Sequence, residues 1–341
     1  MPTKTTLRTR AGTLSVLPLL AMLAGATGAI AGDLNPPAGS VAPTMKTLDQ
    51  VESRIAIPGG VNPAKFTITQ PGSYYLTGNR LHTQGNIGQS IQIMVSDVTL
   101  DLNGYAITVT NASGAQYAIA DRGDDGSAGS FGIVIKNGVI SGAGYDDGGI
   151  NLSYTFGARV ENVSARGITG GTGIYIGEGG LVTDSTAVGC RIGFGGNQAA
   201  FMRCSAFNNS QYGFSLYRSS AKDCVANAND EYGFYLNYRA SVESCVANDN
   251  RPNGFGGGIY VGGDGCRIDS NTFAGNYFGI WLSATAANAI VTRNTVRPGN
   301  GGAFGMQNQS AGLFGNNHVA QIVTDPVNQF TTTNPWANFV Y

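Results

Sequence analysis

Down the second half of the chain a short apolar phrase returns at a nearly constant interval: Gly173-Ile174-Tyr175-Ile176, Gly193-Phe194, Gly213-Phe214-Ser215-Leu216, Gly233-Phe234-Tyr235-Leu236, Gly258-Ile259-Tyr260-Val261 and Gly279-Ile280-Trp281-Leu282. The glycines stand 20, 20, 20, 25 and 21 residues apart. The residue after each glycine is apolar, and the third is too in five of the six phrases, which is the alternation of a strand with one buried face. A period of this length carrying short strands predicts a solenoid, in which every position of the repeat becomes a stripe along the molecule. The outward stripe reads Tyr175, Gly195, Ser215, Tyr235, Tyr260 and Trp281.

Strand patterning also marks the first half. Phe66 to Ile68, Tyr74 to Leu76, Ile91 to Val95 and Val98 to Leu102 alternate apolar with polar, and each is stopped by Gly, Asn or Pro. Asn103-Gly104, Asn137-Gly138 and Asn253-Gly254 are turn signals that would also suit hairpins, but recurrence at one phase of the period favours parallel stacking. A second set of segments superposes on the same period: Arg203-Cys204-Ser205-Ala206-Phe207-Asn208-Asn209, Asp223-Cys224-Val225-Ala226-Asn227 and Ser244-Cys245-Val246-Ala247-Asn248. Asn271-Thr272-Phe273 and Asn294-Thr295-Val296 are diverged copies. Cys204, Cys224 and Cys245 are therefore expected as a ladder of small buried side chains, and the asparagines as amides bonded from coil to coil. About ten rungs at roughly 4.8 Å each predict a rod on the order of 50 Å long.

The ends read differently. Residues 1–31 have the form of an export signal: Lys4, Arg8 and Arg10, then the apolar run Leu14 to Leu23, then Ala29-Ile30-Ala31. Residues 32–60 read as linker and N-terminal cap. Asn35 to Ser40 supplies the linker, and Met45, Leu48, Val51 and Ile55 at helical spacing predict a short capping helix over Thr44 to Arg54. The β-helix is expected over 61–318, and 319–341, with Pro326, Pro335 and Trp336, as a C-terminal cap or tail. The expected location is the periplasm or the exterior.

Composition sharpens this picture. The 51 glycines and the 12% of charged residues suit a chain of many tight turns. Without residues 1–31, 17 Lys and Arg stand against 21 Asp and Glu, which argues against nucleic acid or an anionic membrane as partner. No later segment is apolar for long enough to span a bilayer as a helix. The five cysteines, Cys190, Cys204, Cys224, Cys245 and Cys266, cannot all pair. No CxxC pair occurs and neither His82 nor His318 lies near them in sequence, so no metal site is assigned to them.

Val51 to Arg54, Ile68-Thr69-Gln70-Pro71-Gly72-Ser73-Tyr74-Tyr75-Leu76-Thr77 and Asp97-Val98-Thr99-Leu100-Asp101-Leu102-Asn103-Gly104 resemble bacterial exported β-helix repeat proteins of the pectin-lyase-like superfamily. The resemblance implies an all-β, single-stranded, right-handed parallel β-helix, and it assigns no activity. Polygalacturonase-like members carry Asn-Thr-Asp, Asp-Asp, Gly-His-Gly and Arg-Ile-Lys motifs on consecutive rungs. Only Asp146-Asp147 finds a counterpart here, which speaks against that hydrolase chemistry.

Candidate chemistry lies on the outward stripe. Tyr175, Tyr235, Tyr260 and Trp281, with Tyr217, Arg218, Tyr238 and Arg239 beside them, are the expected substrate-binding residues. Aromatic rings suit the C–H faces of sugars, and two arginines 21 residues apart suit the carboxylates of an acidic polysaccharide. The same aromatics would equally serve as strand formers lying against a loop. Acidic runs at Asp121 to Gly126 and Tyr145 to Gly148 could hold Ca²⁺, though neither has a calcium-loop spacing, and no other cofactor is indicated. No catalytic residue can be named. The leading expectation is an exported, monomeric, polysaccharide-interacting protein. The alternatives are a polysaccharide lyase or epimerase acting at the same face, with lyase chemistry favoured over hydrolysis, or a structural or adhesive rod.

Overall fold

The computed structural model describes residues 53–83, 88–110, 115–121, 129–142, 145–251, 254, 256–299, 304–308, 313–315, 318–319, 322–324 and 339–340. The protein is all-β, a right-handed parallel β-helix; among the described residues there is no helix. One coil shows the plan: strand Tyr212–Tyr217, a corner, strand Ser220–Lys222, a corner, strand Val225–Asn227, and a third corner leading to the next coil. Each corner holds one residue in the left-handed region, here Arg218 (φ 51°), Asp223 (φ 53°) and Ala228 (φ 54°). That conformation turns the chain sharply without breaking the stacking on either side.

Strands of the first kind stack into a twelve-stranded parallel sheet running from Phe66–Ile68 to Ile322–Thr324. The other two kinds form two further stacks, joined into one sheet where the long strands Val134–Ser141 and Arg159–Arg166 run through both. Pairing continues to the C-terminus, where Phe339–Val340 lies against His318–Val319. The capping helix expected over Thr44 to Arg54 falls outside the described residues up to position 52. Ile55, which completes its spacing, instead opens strand Ile55–Ile57 and pairs with Tyr74. A three-residue strand with a partner in the next coil satisfies more backbone than a helix end would there.

The core is one continuous column. Phe194, Phe214 and Phe234 are fully buried and stack at 4.9 Å between centroids, with Phe201 edge-on to the first two at 5.9 Å. Two ladders line it. Asn209, Asn229 and Asn250 each donate from Nδ2 to the Oδ1 of the next asparagine at 2.8, 2.8 and 3.0 Å, and Asn276, which ends the row, donates to the Ala247 carbonyl oxygen at 2.7 Å. Cys204, Cys224 and Cys245 occupy the other ladder, which continues into Asn271 and Asn294. The glycine that opens each phrase is dictated here: a Cβ on Gly213 would sit 2.6 Å from the Gly233 carbonyl oxygen and 3.0 Å from Asn229 Nδ2.

All five cysteines are free and buried, and Cys204, Cys224 and Cys245 are the small buried side chains that the ladder reading expects. The thiols of Cys204 and Cys224 donate to carbonyl oxygens of the preceding coil, those of Val182 and Phe201, both at 3.5 Å. Burial pushes the Cys190 and Cys266 thiols up to about 11, so they stay protonated and unreactive at neutral pH.

Candidate functional site

The outward stripe is in register: Tyr175 pairs with Gly195, then Ser215, Tyr235, Tyr260 and Trp281 follow on successive coils. The flanking residues Ile174, Phe194, Phe214, Phe234, Ile259 and Ile280 are fully buried, so alternation puts the stripe outside. The eight sequence-predicted residues nevertheless fall into three places.

Tyr235, Tyr260 and Trp281 form one place. They are joined by Tyr212 and Tyr232, which precede the glycine of their phrases and share one row of the sheet. Tyr212 stacks on Tyr235 (4.6 Å, 13°), Tyr235 on Tyr260 (5.1 Å, 15°), and Trp281 meets Tyr260 edge-on at 5.2 Å. Tyr232 lies 5.1 Å from Tyr260, and Phe278 lies 4.9 Å from Trp281. The ring faces are thus occupied by one another, and ring edges remain for contact with solvent. Burial, reinforced by the Glu231 carboxylate, pushes the Tyr212 hydroxyl up to about 12, and burial raises Tyr232 in the same direction. These hydroxyls are hydrogen-bond donors at neutral pH and not bases. The indole nitrogen of Trp281 is buried and finds no acceptor among the described residues.

Tyr175 stands apart, three coils before Tyr235. Gly195 makes room for its ring, since a Cβ there would come within 2.6 Å of Tyr175 Cδ2. It borders a cavity of about 280 Å³ with Tyr117, Asn151, Ser153 and Thr172, and burial raises its hydroxyl above the ordinary range.

Tyr217, Arg218, Tyr238 and Arg239 sit at the corner that follows the twelve-stranded sheet. The left-handed residue of this corner is Gly157, Gly179, Gln198, Arg218, Arg239 and Gly265 on successive coils, and Tyr238 (φ 39°) shares that region with Arg239. Gln and Arg adopt it at a cost on the order of 1 kcal/mol each, where glycine would adopt it freely. Their side chains border an open groove of about 610 Å³ whose walls also carry Ser220 and Ser241, with Gly179, Gly180, Ala199 and Ala200 as low-profile floor. Among the described residues neither Arg218 nor Arg239 enters an ion pair. Arg218 lies over its neighbour's ring, 5.2 Å from the Tyr217 centroid, and Tyr217 meets Tyr238 edge-on at 5.6 Å. Most other arginines of these coils are engaged, as Arg203 with Asp184 (2.7 Å) and both Arg267 and Arg293 with the buried Asp269.

Tyr212, Tyr232 and Gln198 are the residues that sequence reasoning passes over. The first two were signalled by their spacing of 20 residues at a fixed place before glycine. Of the acidic runs, residues 122–128 and the side chains of Asp146 and Asp147 lie outside the described set. Asp121 is buried and structural: its Oδ2 accepts from the Tyr154 backbone N–H at 2.8 Å and from Thr155 Oγ1 at 2.9 Å. Among the described residues no three His, Cys, Asp or Glu side chains gather as a metal site. No described helix is long and apolar enough to cross a membrane.

With this geometry in view, the parallel β-helix class places the chain among proteins of diverse activity. Residues 190–338 match the family model of NosD, a periplasmic copper-binding protein. Among curated proteins none matches. Solved structures share the fold, among them the following three. The A-module of the Azotobacter vinelandii mannuronan C-5 epimerase AlgE4 superposes with a TM-score of 0.55 at 12% identity, over 85% of this chain and 91% of that one. ORF18 of Geobacillus virus E2 gives 0.51 at 15% identity over 72% of this chain, and the tailspike protein gp208 of Dettilon gives 0.50 at 14% over 79%. The chain spans 53% and 62% of the length of those two viral proteins.

The copper in the NosD description can be tested against the matched stretch. Its cysteines are sealed in the core, one per coil, with their thiols turned toward carbonyl oxygens, and Met306 is fully buried as well. A soft metal needs several of these donors converging on one point. The described residues do not fit that requirement.

Proposed function

We propose that this is an exported, monomeric protein that binds an acidic polysaccharide at the corner groove and along the adjoining aromatic face. The observation that carries the reading is the pair Arg218 and Arg239. They stand on successive coils and border one open groove, with no carboxylate paired to either among the described residues. A guanidinium recognises a carboxylate through two parallel hydrogen bonds, and serine hydroxyls and Gln198 add neutral donors and acceptors for sugar hydroxyls. Tyr217 and Tyr238 connect the groove to the sheet face, where Tyr235, Tyr260 and Trp281 offer ring edges and hydroxyl donors. The fold is one used by a mannuronan C-5 epimerase and by a tailspike protein, and NosD is described as periplasmic; both agree with the reading.

Binding is favoured over lyase or epimerase turnover, because the groove lining supplies cations and hydroxyls and, among the described residues, no carboxylate or histidine to take a proton. The test is equilibrium binding to uronic-acid polymers and to a neutral polymer of similar length. Wild type should bind the uronate chains with salt-sensitive affinity, and Arg218→Ala or Arg239→Ala should each weaken binding about tenfold. Unchanged affinity in the double arginine variant would remove the proposal. Appearance of unsaturated uronate in the ultraviolet would move it to the lyase reading.

A further inference from the structure

The corner that carries Arg218 and Arg239 also carries, several coils earlier, three of the most exposed aromatic side chains among the described residues. Phe131, Tyr154 and Phe156 are 56%, 48% and 42% exposed. Phe131 and Phe156 sit on a two-stranded parallel ribbon, Ser130–Phe131 against Thr155–Phe156, with their rings stacked at 5.3 Å and 22°. Each immediately precedes the left-handed glycine of its corner, Gly132 and Gly157, just as Tyr217 precedes Arg218.

The ribbon is rigidly held. The buried Asp121 carboxylate accepts from Tyr154 N and Thr155 Oγ1, Ser130 N donates to Tyr154 O at 3.1 Å, and Asp97 N donates to Phe131 O at 2.9 Å. A Cβ on Gly129 would lie 2.7 Å from the Phe156 ring, so the ring is laid back over the backbone. The buried carboxylate thus fixes the strand that carries Phe156, and that strand in turn bonds the strand of Phe131. Exposed aromatic patches of this kind mark contact surfaces.

The patch is continuous with the groove. Gly157 N donates to Glu178 O, Gly179 N to Gln198 O and Gln198 N to Tyr217 O, each at 2.9 Å, so the corner runs coil by coil from Phe156 to Arg218. The groove floor begins at Gly179, one coil beyond Phe156. From the coil of Phe131 to that of Arg239 there are five steps, about 24 Å at the usual strand spacing. One pyranose in a linear chain is about as long as one such step.

We infer that the acidic polysaccharide runs along this corner parallel to the solenoid axis, about one sugar per coil, with its carboxylates at Arg218 and Arg239 and an apolar sugar face on Phe131 and Phe156. The inference rests on the acidic-polysaccharide reading and adds the direction, the length and the second anchor of the site. Each ring gives one face to the other, and at 56% and 42% exposure both keep apolar surface open to a sugar, whereas each interlocked tyrosine on the sheet meets several rings.

A length series of uronate oligosaccharides, from disaccharide to octasaccharide, tests it by calorimetry. Affinity should climb to about the hexasaccharide and then level. Phe131→Ser with Phe156→Ser should lower hexasaccharide affinity about fivefold or more and leave the disaccharide unaffected, whereas the arginine double variant weakens both. The disaccharide serves as the control that the variant is folded, and the wild-type length series stands without any variant. An affinity that does not grow beyond the disaccharide, or a phenylalanine variant that binds the hexasaccharide as wild type does, overturns the inference and leaves the groove reading intact. If the arginine variant binds every length normally, that reading falls instead. If sedimentation shows a wild-type dimer that the phenylalanine variant converts to monomer with glycan affinity unchanged, the patch belongs to a second copy of the chain and the inference is wrong.

Discussion

Arg80 is fully enclosed near the N-terminal end of the solenoid, and the bonds described for it go to no carboxylate. Its guanidinium donates to the carbonyl oxygens of Pro58 and Ala64, both at 2.7 Å, and to Ser90 Oγ at 3.0 Å. The same serine hydroxyl lies 2.8 Å from His82 Nε2. Burial, together with the neighbouring Arg80 charge, pulls the His82 imidazole down to about 4 from its usual 6.5. Between those values the unfolded chain takes up a proton that the folded one refuses, so this residue lowers stability as pH falls from about 6.5 to about 4, and adds no further slope below. The full effect is about 3 kcal/mol. Denaturant midpoints at pH 7 and at pH 4 should therefore separate wild type from His82→Gln, with the variant losing less on acidification. Equal losses would show that the imidazole is already charged in the folded state.

At the scale of the strand and its corner, the ladders decide stability. Asn229 accepts at Oδ1 from both the backbone and the side chain of Asn209, and donates to Asn250, inside a core that offers no replacement partner. Asn229→Ala strands buried amides on both sides and should cost about 2 to 3 kcal/mol, while Ser215→Ala on the half-buried outer row should change stability by less than about 0.5 kcal/mol. Comparable midpoints for the two variants in urea would mean that water enters the ladder. The same scale shows what could be read in advance. Alternation about Gly-Phe-Tyr-Leu fixes which side chains point outward, and equal spacing fixes the cysteine stack, since both follow from period alone. The interlocking of Tyr212, Tyr235 and Tyr260 depends on rotamers, which no period encodes. The corner column was hidden for another reason: Gly179, Gln198 and Arg218 share a backbone conformation and no side-chain property. Phe131 and Phe156 escaped because they lie outside the repeat phrase, on an inserted ribbon.

For the whole solenoid, stability is a sum over neighbouring coils, because each coil touches only those above and below it. The coils from Ile192 to Leu236 combine the phenylalanine stack, the asparagine ladder and the cysteine ladder, and the coil of Phe214 and Asn229 meets like partners on both sides in the stack and the asparagine ladder. The strands Ile55–Ile57 and Gly60–Val61 have a described partner on one side only, and Ile55 and Val61 remain 45% and 68% exposed. Opening should therefore begin there and move inward, in place of a single all-or-none transition. Hydrogen exchange read by mass spectrometry should find amides of Tyr212–Tyr217 and Tyr232–Asn237 exchanging at least about a hundredfold more slowly than those of Ile55–Val61. A ligand laid along the corner from Phe131 to Arg239 would tie several coils together, so adding a uronate hexasaccharide should slow exchange across those coils jointly and leave Ile55–Val61 unchanged. Uniform protection along the chain would contradict the nearest-neighbour account, and slowing confined to one coil would contradict a ligand that spans several.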